Sequence, residues 1–281
     1  MVNATNNRES EVALKFRKPP VVETVLSVQF KPLPGIGAAH LGVFWHQLGD
    51  AWPNVADAPA LEREFERFAS DNIWEAGGLR FKLQSRVDAR LQIQNATRDR
   101  MVQVQNGRFL FNWTGSGQSY PSYESVRPEF DEYWDRFREF LSCQSTASLE
   151  LDQWEVVYVN HIPKGDLWTS PNEIPRVLSF LGSTCLDPRS TEFEYATGEW
   201  RYEIPSQRGR LYVRLGKTQK DGVPNIVLTL TARGPIGKKK DGISLEEGLE
   251  LGHQVIQKSF LRLTSEEAQR HWEPMYASTS K

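Results

Sequence analysis

The strongest constraint on the fold of this chain is an order of secondary-structure elements that occurs twice. Within residues 13–146 the hydrophobic pattern predicts a strand, a helix, several strands and a long amphipathic helix, and residues 147–276 repeat that order. The duplication predicts an α+β fold of two similar β-α-β-β-β-α units, with antiparallel sheet and long helices packed on one face. Residues 1–12 and 277–281 are predicted to be tails. A single α+β domain whose order repeats by chance is the alternative.

In the first unit, apolar side chains alternate over residues 21–30, which predicts a strand. Helical spacing predicts a helix from about Gly37 that Pro53 ends, and a weaker helical pattern covers residues 60–69. The long closing helix is expected over residues 125–142. Ser125 is its expected N-terminal cap. Asn106-Gly107 separates two alternating runs and predicts a hairpin with a type I′ turn.

The second unit begins with a strand predicted over residues 151–162 and a short helix over 174–181. Three further strands are expected over residues 193–204, 210–215 and 226–233. The final long helix begins at Ser244, and Glu247 completes a capping box with it. A second capping box, Thr264 with Glu267, predicts a short last helix that holds Trp272 against the core.

The composition of the sequence limits the cellular environment in which the protein is expected. The formal net charge is −2, with 39% apolar and 25% charged residues, as in ordinary globular proteins. No apolar run is long enough to span a bilayer, and the N-terminus lacks the apolar core of a secretory signal, so we expect a cytoplasmic protein without membrane association. Cys143 and Cys185 have no metal-ligand spacing. Motifs for a metal, a nucleotide or another cofactor do not occur in the sequence, and none of these is expected.

A catalytic role is the minority hypothesis. Four polar residues lie in predicted strands or at their ends: Glu23, Asn112, Asn160 and His161. An enzyme would need them to converge in one cleft, and Asn160 and His161 would lie at its centre. For His161, capping or hydrogen bonding to the backbone is the alternative explanation.

The polar face of the strands is the most distinctive feature. Its candidate anion-binding residues are Arg80, Lys82, Arg90, Arg201, Arg210, Tyr212 and Arg214. An open face of this kind can bind an anionic ligand, a nucleic acid or an acidic partner, and residues 80–108 and 200–220 would then form one positive surface. An ordinary solvated sheet face, whose arginines pair with neighbouring carboxylates, is the alternative.

Several segments together carry a resemblance to a known family. They are Lys18-Pro-Pro-Val-Val-Glu23, Gln103-Val-Gln-Asn-Gly-Arg-Phe-Leu-Phe-Asn-Trp113, Tyr120-Pro-Ser-Tyr123, Tyr158-Val-Asn-His-Ile162 and the closing Phe260…Leu263-Thr264…Trp272. The set resembles a sporadically distributed bacterial family of uncharacterised proteins of similar length. Patchy distribution implies accessory genes, such as defence or toxin–antitoxin loci. The element order also resembles the duplicated fold of TATA-binding proteins, which implies fold and not function.

The function that these observations favour is non-catalytic binding of a protein partner within such an accessory bacterial system. Catalytic signatures are absent from the sequence, whereas Trp74 and Trp168 lie in predicted loops where aromatic side chains serve interfaces. Binding of a nucleic acid or another anionic ligand by the basic sheet face is one alternative, and an enzyme is the other. The oligomeric state is open, with a homodimer among the options.

Overall fold

The computed structural model describes residues 15–68, 89–115, 120–182, 189–237 and 242–275. Within these residues the fold is α+β, as predicted: nine antiparallel strands form one sheet, and the long helices pack on one face of it. Among the described residues, no helix combines the length and the apolar character needed to cross a membrane.

The elements follow each other in the duplicated order. The strands are β1 (Lys15–Phe16), β2 (Val21–Phe30), β3 (Asn54–Pro59), β4 (Ala89–Gln94), β5 (Arg100–Gln105), β6 (Arg108–Thr114), β7 (Leu151–Pro163), β8 (Gly198–Ile204), β9 (Gly209–Lys220), β10 (Val223–Pro235) and β11 (Pro274–Met275). The α-helices are α1 (Ala38–Leu48), α2 (Tyr123–Gln144), α3 (Ile174–Val177), α4 (Leu245–Leu263) and α5 (Glu266–His271). Short 3-10 turns, Pro171–Glu173 and Ser179–Leu181, flank α3.

The strand order of the sheet is symmetric about its two central strands. Its strand order is β3-β4-β5-β6-β2-β7-β10-β9-β8, and β1 pairs separately with β11. Read outward from the central β2–β7 pair, the first unit gives β2, β6, β5, β4 and the second gives β7, β10, β9, β8. β3 is an additional edge strand of the first unit. β2 and β7 are antiparallel neighbours at the centre, and the equivalent strands of the two units take the same places in the strand order on either side of them.

Aromatic side chains fill the space between the sheet and the helices of the first unit. Phe109 of β6 contacts Trp134 and Phe137 of α2, each with ring centroids 5.4 Å apart. Phe44 of α1 contacts Phe137 at 4.9 Å. These contacts follow from the period-two pattern of β6 and the 3.6-residue pattern of α2, which place all four rings in one layer.

In the second unit, α4 approaches the sheet closely because small residues face it. A Cβ atom at Gly252 would lie 2.8 Å from Cζ3 of Trp154 and 2.9 Å from Cγ2 of Val156. Gly248 also abuts the Trp154 ring. The two glycines therefore let the helix backbone rest directly on the central strand β7.

The predicted helix over residues 60–69 is wrong for the described part of that segment. Residues 54–59 form β3, and residues 60–68, here called the strap, have no regular secondary structure. The strap instead lies on the polar sheet face, where side chains of the sheet bond its backbone groups. Long-range bonds thus replace the hydrogen bonds that a weakly amphipathic helix would have made.

The predicted capping box of α4 is confirmed. The Ser244 hydroxyl accepts from the Glu247 N–H at 3.1 Å, and the Glu247 carboxylate accepts from the Ser244 N–H at 2.9 Å. The last helix is capped one residue later than predicted, by Ser265, because the Thr264 hydroxyl donates to the Phe260 carbonyl. Trp272 is buried, as predicted.

Two other local predictions are wrong. α2 begins at Tyr123, so its N-cap position is Ser122 and not Ser125. In the β5–β6 hairpin, which is confirmed, only Gly107 has a positive φ, so the turn is not of type I′. The Asn106 side chain bonds the backbone of Leu33: it accepts from the Leu33 N–H at 2.8 Å and donates to the Leu33 carbonyl at 2.9 Å.

Candidate functional site: the polar sheet face and its strap

The strap crosses the face of the sheet opposite the helices, and buried glutamines hold its main chain. The first is Gln105 of β5. Its Oε1 accepts from the Leu61 N–H at 2.8 Å, and its Nε2 donates to the Leu61 carbonyl at 2.9 Å. One side-chain amide therefore satisfies both hydrogen-bonding groups of a single residue, as a neighbouring strand would.

Two further glutamines repeat this arrangement on the central strands. Gln29 of β2 accepts from the Glu64 N–H at 3.2 Å and donates to the Glu64 carbonyl at 3.1 Å. Gln153 of β7 also donates to that carbonyl, and its Oε1 accepts from the Glu66 N–H at 3.0 Å. These bonds involve only the backbone of the strap. They fix the path of its main chain and do not depend on the identity of its side chains.

One side chain of the strap, that of Glu66, is bound by several groups of the sheet. The Glu66 carboxylate accepts from Nη1 of Arg210 at 2.7 Å, from the Tyr212 hydroxyl at 2.8 Å and from Nε of Arg233 at 2.9 Å. Its side chain is only 1% exposed. Arg210 also donates to the Arg67 carbonyl at 2.6 Å. A buried carboxylate is stable only with such charge-assisted partners, so β9 and β10 together form a carboxylate-binding anchor.

The charges around the anchor are balanced within the face. Arg233 contacts Glu64 and lies 3.2 Å from Glu155, and the guanidinium of Arg108 also contacts Glu155. Burial disfavours the charge on Arg233, yet Glu155, Glu64 and Glu66 together raise its pKa above the usual value. Burial and the neighbouring Glu66 likewise raise the pKa of Tyr212, which keeps its hydroxyl a donor at neutral pH.

The predicted anion-binding residues occupy three different environments. Arg210 and Tyr212 belong to the anchor. Arg201 and Arg214 are largely exposed and both pair with Glu199, at 2.7 and 2.6 Å. Arg90 donates to Gln103 at 2.8 Å. Arg80 and Lys82 lie outside the described residues.

Of the four residues predicted to share a cleft, Asn112 and Glu23 contact each other, and Asn160 lies on the other face of the sheet. Asn112 donates to Glu23 at 2.7 Å and accepts from Gln103 at 2.9 Å, which forms a chain of polar contacts on the open face. Asn160 lies on the helix-bearing side, where it lines a cavity. His161 follows it on β7 and so faces the opposite way. Burial, with a contribution from Lys220, lowers the pKa of His161.

Trp168 does not serve as an exposed interface aromatic. It is buried, and its Nε1 donates to the Ile162 carbonyl at 3.1 Å. Trp74 and Cys185 lie outside the described residues, whereas Cys143 is exposed at the end of α2. In the part of the chain that the structure describes, no group of three or more His, Cys, Asp or Glu side chains is placed to hold a metal ion.

Sequence reasoning missed the residues that make the main-chain contacts. These are Gln29 and Gln153, and Arg233, which bonds the Glu66 side chain, was missed as well. All three alternate with core residues on their strands, so the same alternation that placed Arg210 on the open face applies to them. The missing signal was the strap, because the weak pattern of residues 60–69 favoured a helix. Neither the protein-family models nor the curated proteins compared with this sequence match it, so the roles of these residues rest on their geometry.

Proposed function

We propose that this protein is a non-catalytic binding protein that recognises an extended, glutamate-bearing segment of a protein partner on its polar sheet face. The observation that carries the proposal is the way the face holds the strap. Three buried glutamines bond its main chain, and Arg210, Tyr212 and Arg233 bind the Glu66 carboxylate. A peptide of the same form can replace the strap contact by contact.

The same contacts favour a peptide over a nucleic acid. Gln29, Gln105 and Gln153 each offer an acceptor oxygen that a peptide N–H satisfies. Phosphate oxygens accept hydrogen bonds and do not donate them, so a DNA backbone would leave these oxygens unpaired. Glu155 and Glu23 also belong to this face and would repel phosphates.

In this proposal the strap is an internal competitor for the partner. Because it is tethered to the sheet, it acts at an effective concentration on the order of millimolar, as short linkers do. A partner segment must displace it, so weakening the strap should strengthen binding in trans. The accessory role in defence or toxin–antitoxin loci remains an expectation from the resemblance and agrees with regulated partner binding.

The test is a binding titration with a labelled peptide of residues 60–68, Ala-Leu-Glu-Arg-Glu-Phe-Glu-Arg-Phe. Fluorescence anisotropy should give a Kd at least tenfold lower for the Glu66→Ala protein than for wild type, because the variant strap loses its anchor. Glu62→Ala is the matched control, since Glu62 is exposed, and it should behave as wild type.

Two further arms give specificity. A peptide with Gln at the position of Glu66 should bind weakly, and Arg210→Ala added to Glu66→Ala should abolish binding. A single-stranded oligonucleotide of equal length tests the nucleic-acid alternative. The proposal fails if the labelled peptide does not bind the Glu66→Ala protein at millimolar concentration, or if the oligonucleotide binds and the peptide does not.

A further inference from the structure

A cavity of about 270 Å³ lies on the helix-bearing side of the sheet, opposite the strap. It is bounded by β7, β10, the start of α2, α4, the chain from β1 to the start of β2, and β11. Its lining includes Tyr120, Tyr123, Tyr158, Asn160, His253 and Phe260. Ligand pockets typically measure roughly 300–1,000 Å³, so this cavity suits a small molecule.

Lys15, Arg17 and Glu124 also line the cavity, and Lys15 pairs with Glu124 at 2.7 Å. Deeper in the cavity, the tyrosines and His253 form an uncharged network. The Tyr158 hydroxyl lies 2.8 Å from Nδ1 of His253 and 3.0 Å from the Tyr120 hydroxyl. The Tyr123 ring stacks on His253 with centroids 3.9 Å apart. Burial raises the pKa of Tyr120 to about 12 and lowers that of His253 to about 4, so both are neutral at physiological pH.

Asn160 has an unfilled hydrogen-bonding position beside this network. Its side chain is buried, with the residue 1% exposed, and its Nδ2 donates to the Leu228 carbonyl at 3.0 Å. Because that carbonyl can only accept, the bond fixes which side of the amide carries the oxygen. Within the described part of the chain, Oδ1 has no hydrogen-bond partner. A buried acceptor left in this way costs free energy that a bound donor would recover.

We propose that this cavity is a binding site for a small uncharged molecule with an apolar body and one N–H or O–H donor, which Oδ1 of Asn160 accepts. The apolar body would pack among Phe260, Ile256 and Leu230, which also line the cavity. Next to Asn160, Tyr158 and His253 a charged ligand group would lie among neutral partners, and Lys15 and Glu124 at the edge of the cavity already pair with each other, so the site disfavours ions. The site is separate from the strap and does not depend on the function proposed for that face.

The test compares two probes of the same shape, indole and indene, of which only indole carries a donor. Titrations followed by ligand-observed NMR should give a Kd for indole about tenfold below that for indene, since one well-formed hydrogen bond is worth about that factor. Asn160→Leu should reduce the ratio to near one while indene still binds. Asn225→Leu is the matched control, because Asn225 is buried and also donates to a carbonyl, and it should retain the tenfold ratio.

A measurement on the wild-type protein guards against a variant that does not fold. Indole, and not indene, should shift the side-chain amide resonances of Asn160. The proposal is overturned if neither probe binds at millimolar concentration, if the ratio is unchanged in Asn160→Leu, or if both probes shift those resonances equally.

Discussion

Nε of Arg233 lies 2.9 Å from Oε1 of Glu66, although 167 residues separate them in the sequence. This bond joins the strap of the first unit to β10 of the second. Arg233 lies within 3.2 Å of Glu155 as well, so one guanidinium links the strap to two strands of the sheet. The strap therefore depends on a charge that the second unit supplies.

The strap should open more often when its anchor is removed. Glu66→Ala deletes the carboxylate that Arg210, Tyr212 and Arg233 bind. Trypsin cleavage after Arg63 and Arg67, both on the strap, should then become about tenfold faster, as a loss of about 1.4 kcal/mol implies. The rate is measured by mass spectrometry of limited digests. Glu62→Ala should leave the rate unchanged, and equal rates for both variants would show that the anchor does not hold the strap.

Replacing glycine with alanine should have opposite effects on stability at two helical positions, because α4 lies close to β7 at Gly252 whereas Gly42 in α1 has open space beside it. Gly252→Ala places a methyl group within 2.8 Å of Trp154, and it should lower the free energy of unfolding by about 1–2 kcal/mol despite the better helix propensity of alanine. Gly42→Ala in α1 meets no atom within 4 Å and should stabilise by about 0.5–1 kcal/mol. Urea denaturation measures both. Stabilisation by Gly252→Ala would mean that the helix can move away from Trp154.

Stability should fall on acidification because of His253. Burial lowers its pKa in the folded protein to about 4, whereas an unfolded histidine titrates near its ordinary value of 6.5. Between these values the unfolded state binds the additional proton, so stability is lost as the pH falls from about 7 to 4, by up to about 3 kcal/mol. The groups that act on His253 are Tyr158, Tyr123, Glu250, Glu124 and Lys15.

Urea denaturation from pH 7 to pH 4 checks this expectation. The His253→Gln protein should lose less stability over that interval than wild type, by about the same 3 kcal/mol at most. His46→Gln alters an exposed histidine of α1 and should retain the wild-type dependence. Parallel curves for wild type and His253→Gln would contradict a buried, neutral His253.

Local sequence patterns were sufficient where neighbouring residues decide the structure. Alternation located β2 within the predicted bounds, and the Ser244–Glu247 box located the start of α4. The strap was missed for the opposite reason. Its partners, Gln105, Gln153 and Arg210, lie 44 to 144 residues away along the chain, and no local period records such contacts.

The cavity on the other face was beyond prediction for a similar reason. Asn160 was singled out as a strand residue, but its unpaired oxygen depends on the backbone of β10 and on the position of α4. From the sequence alone, His253 is predicted only to lie on an amphipathic helix. Only the packed structure brings it to 2.8 Å from Tyr158.

The most direct test of the central claim is hydrogen–deuterium exchange of the strap during peptide binding. In the free protein the amides of Leu61, Glu64 and Glu66 are bonded to glutamine side chains. Saturating peptide of residues 60–68 should displace the strap, so these amides should exchange faster while those of β9 and β10 remain protected. Peptide binding without faster exchange at these three amides would place the peptide elsewhere and contradict recognition by the polar sheet face.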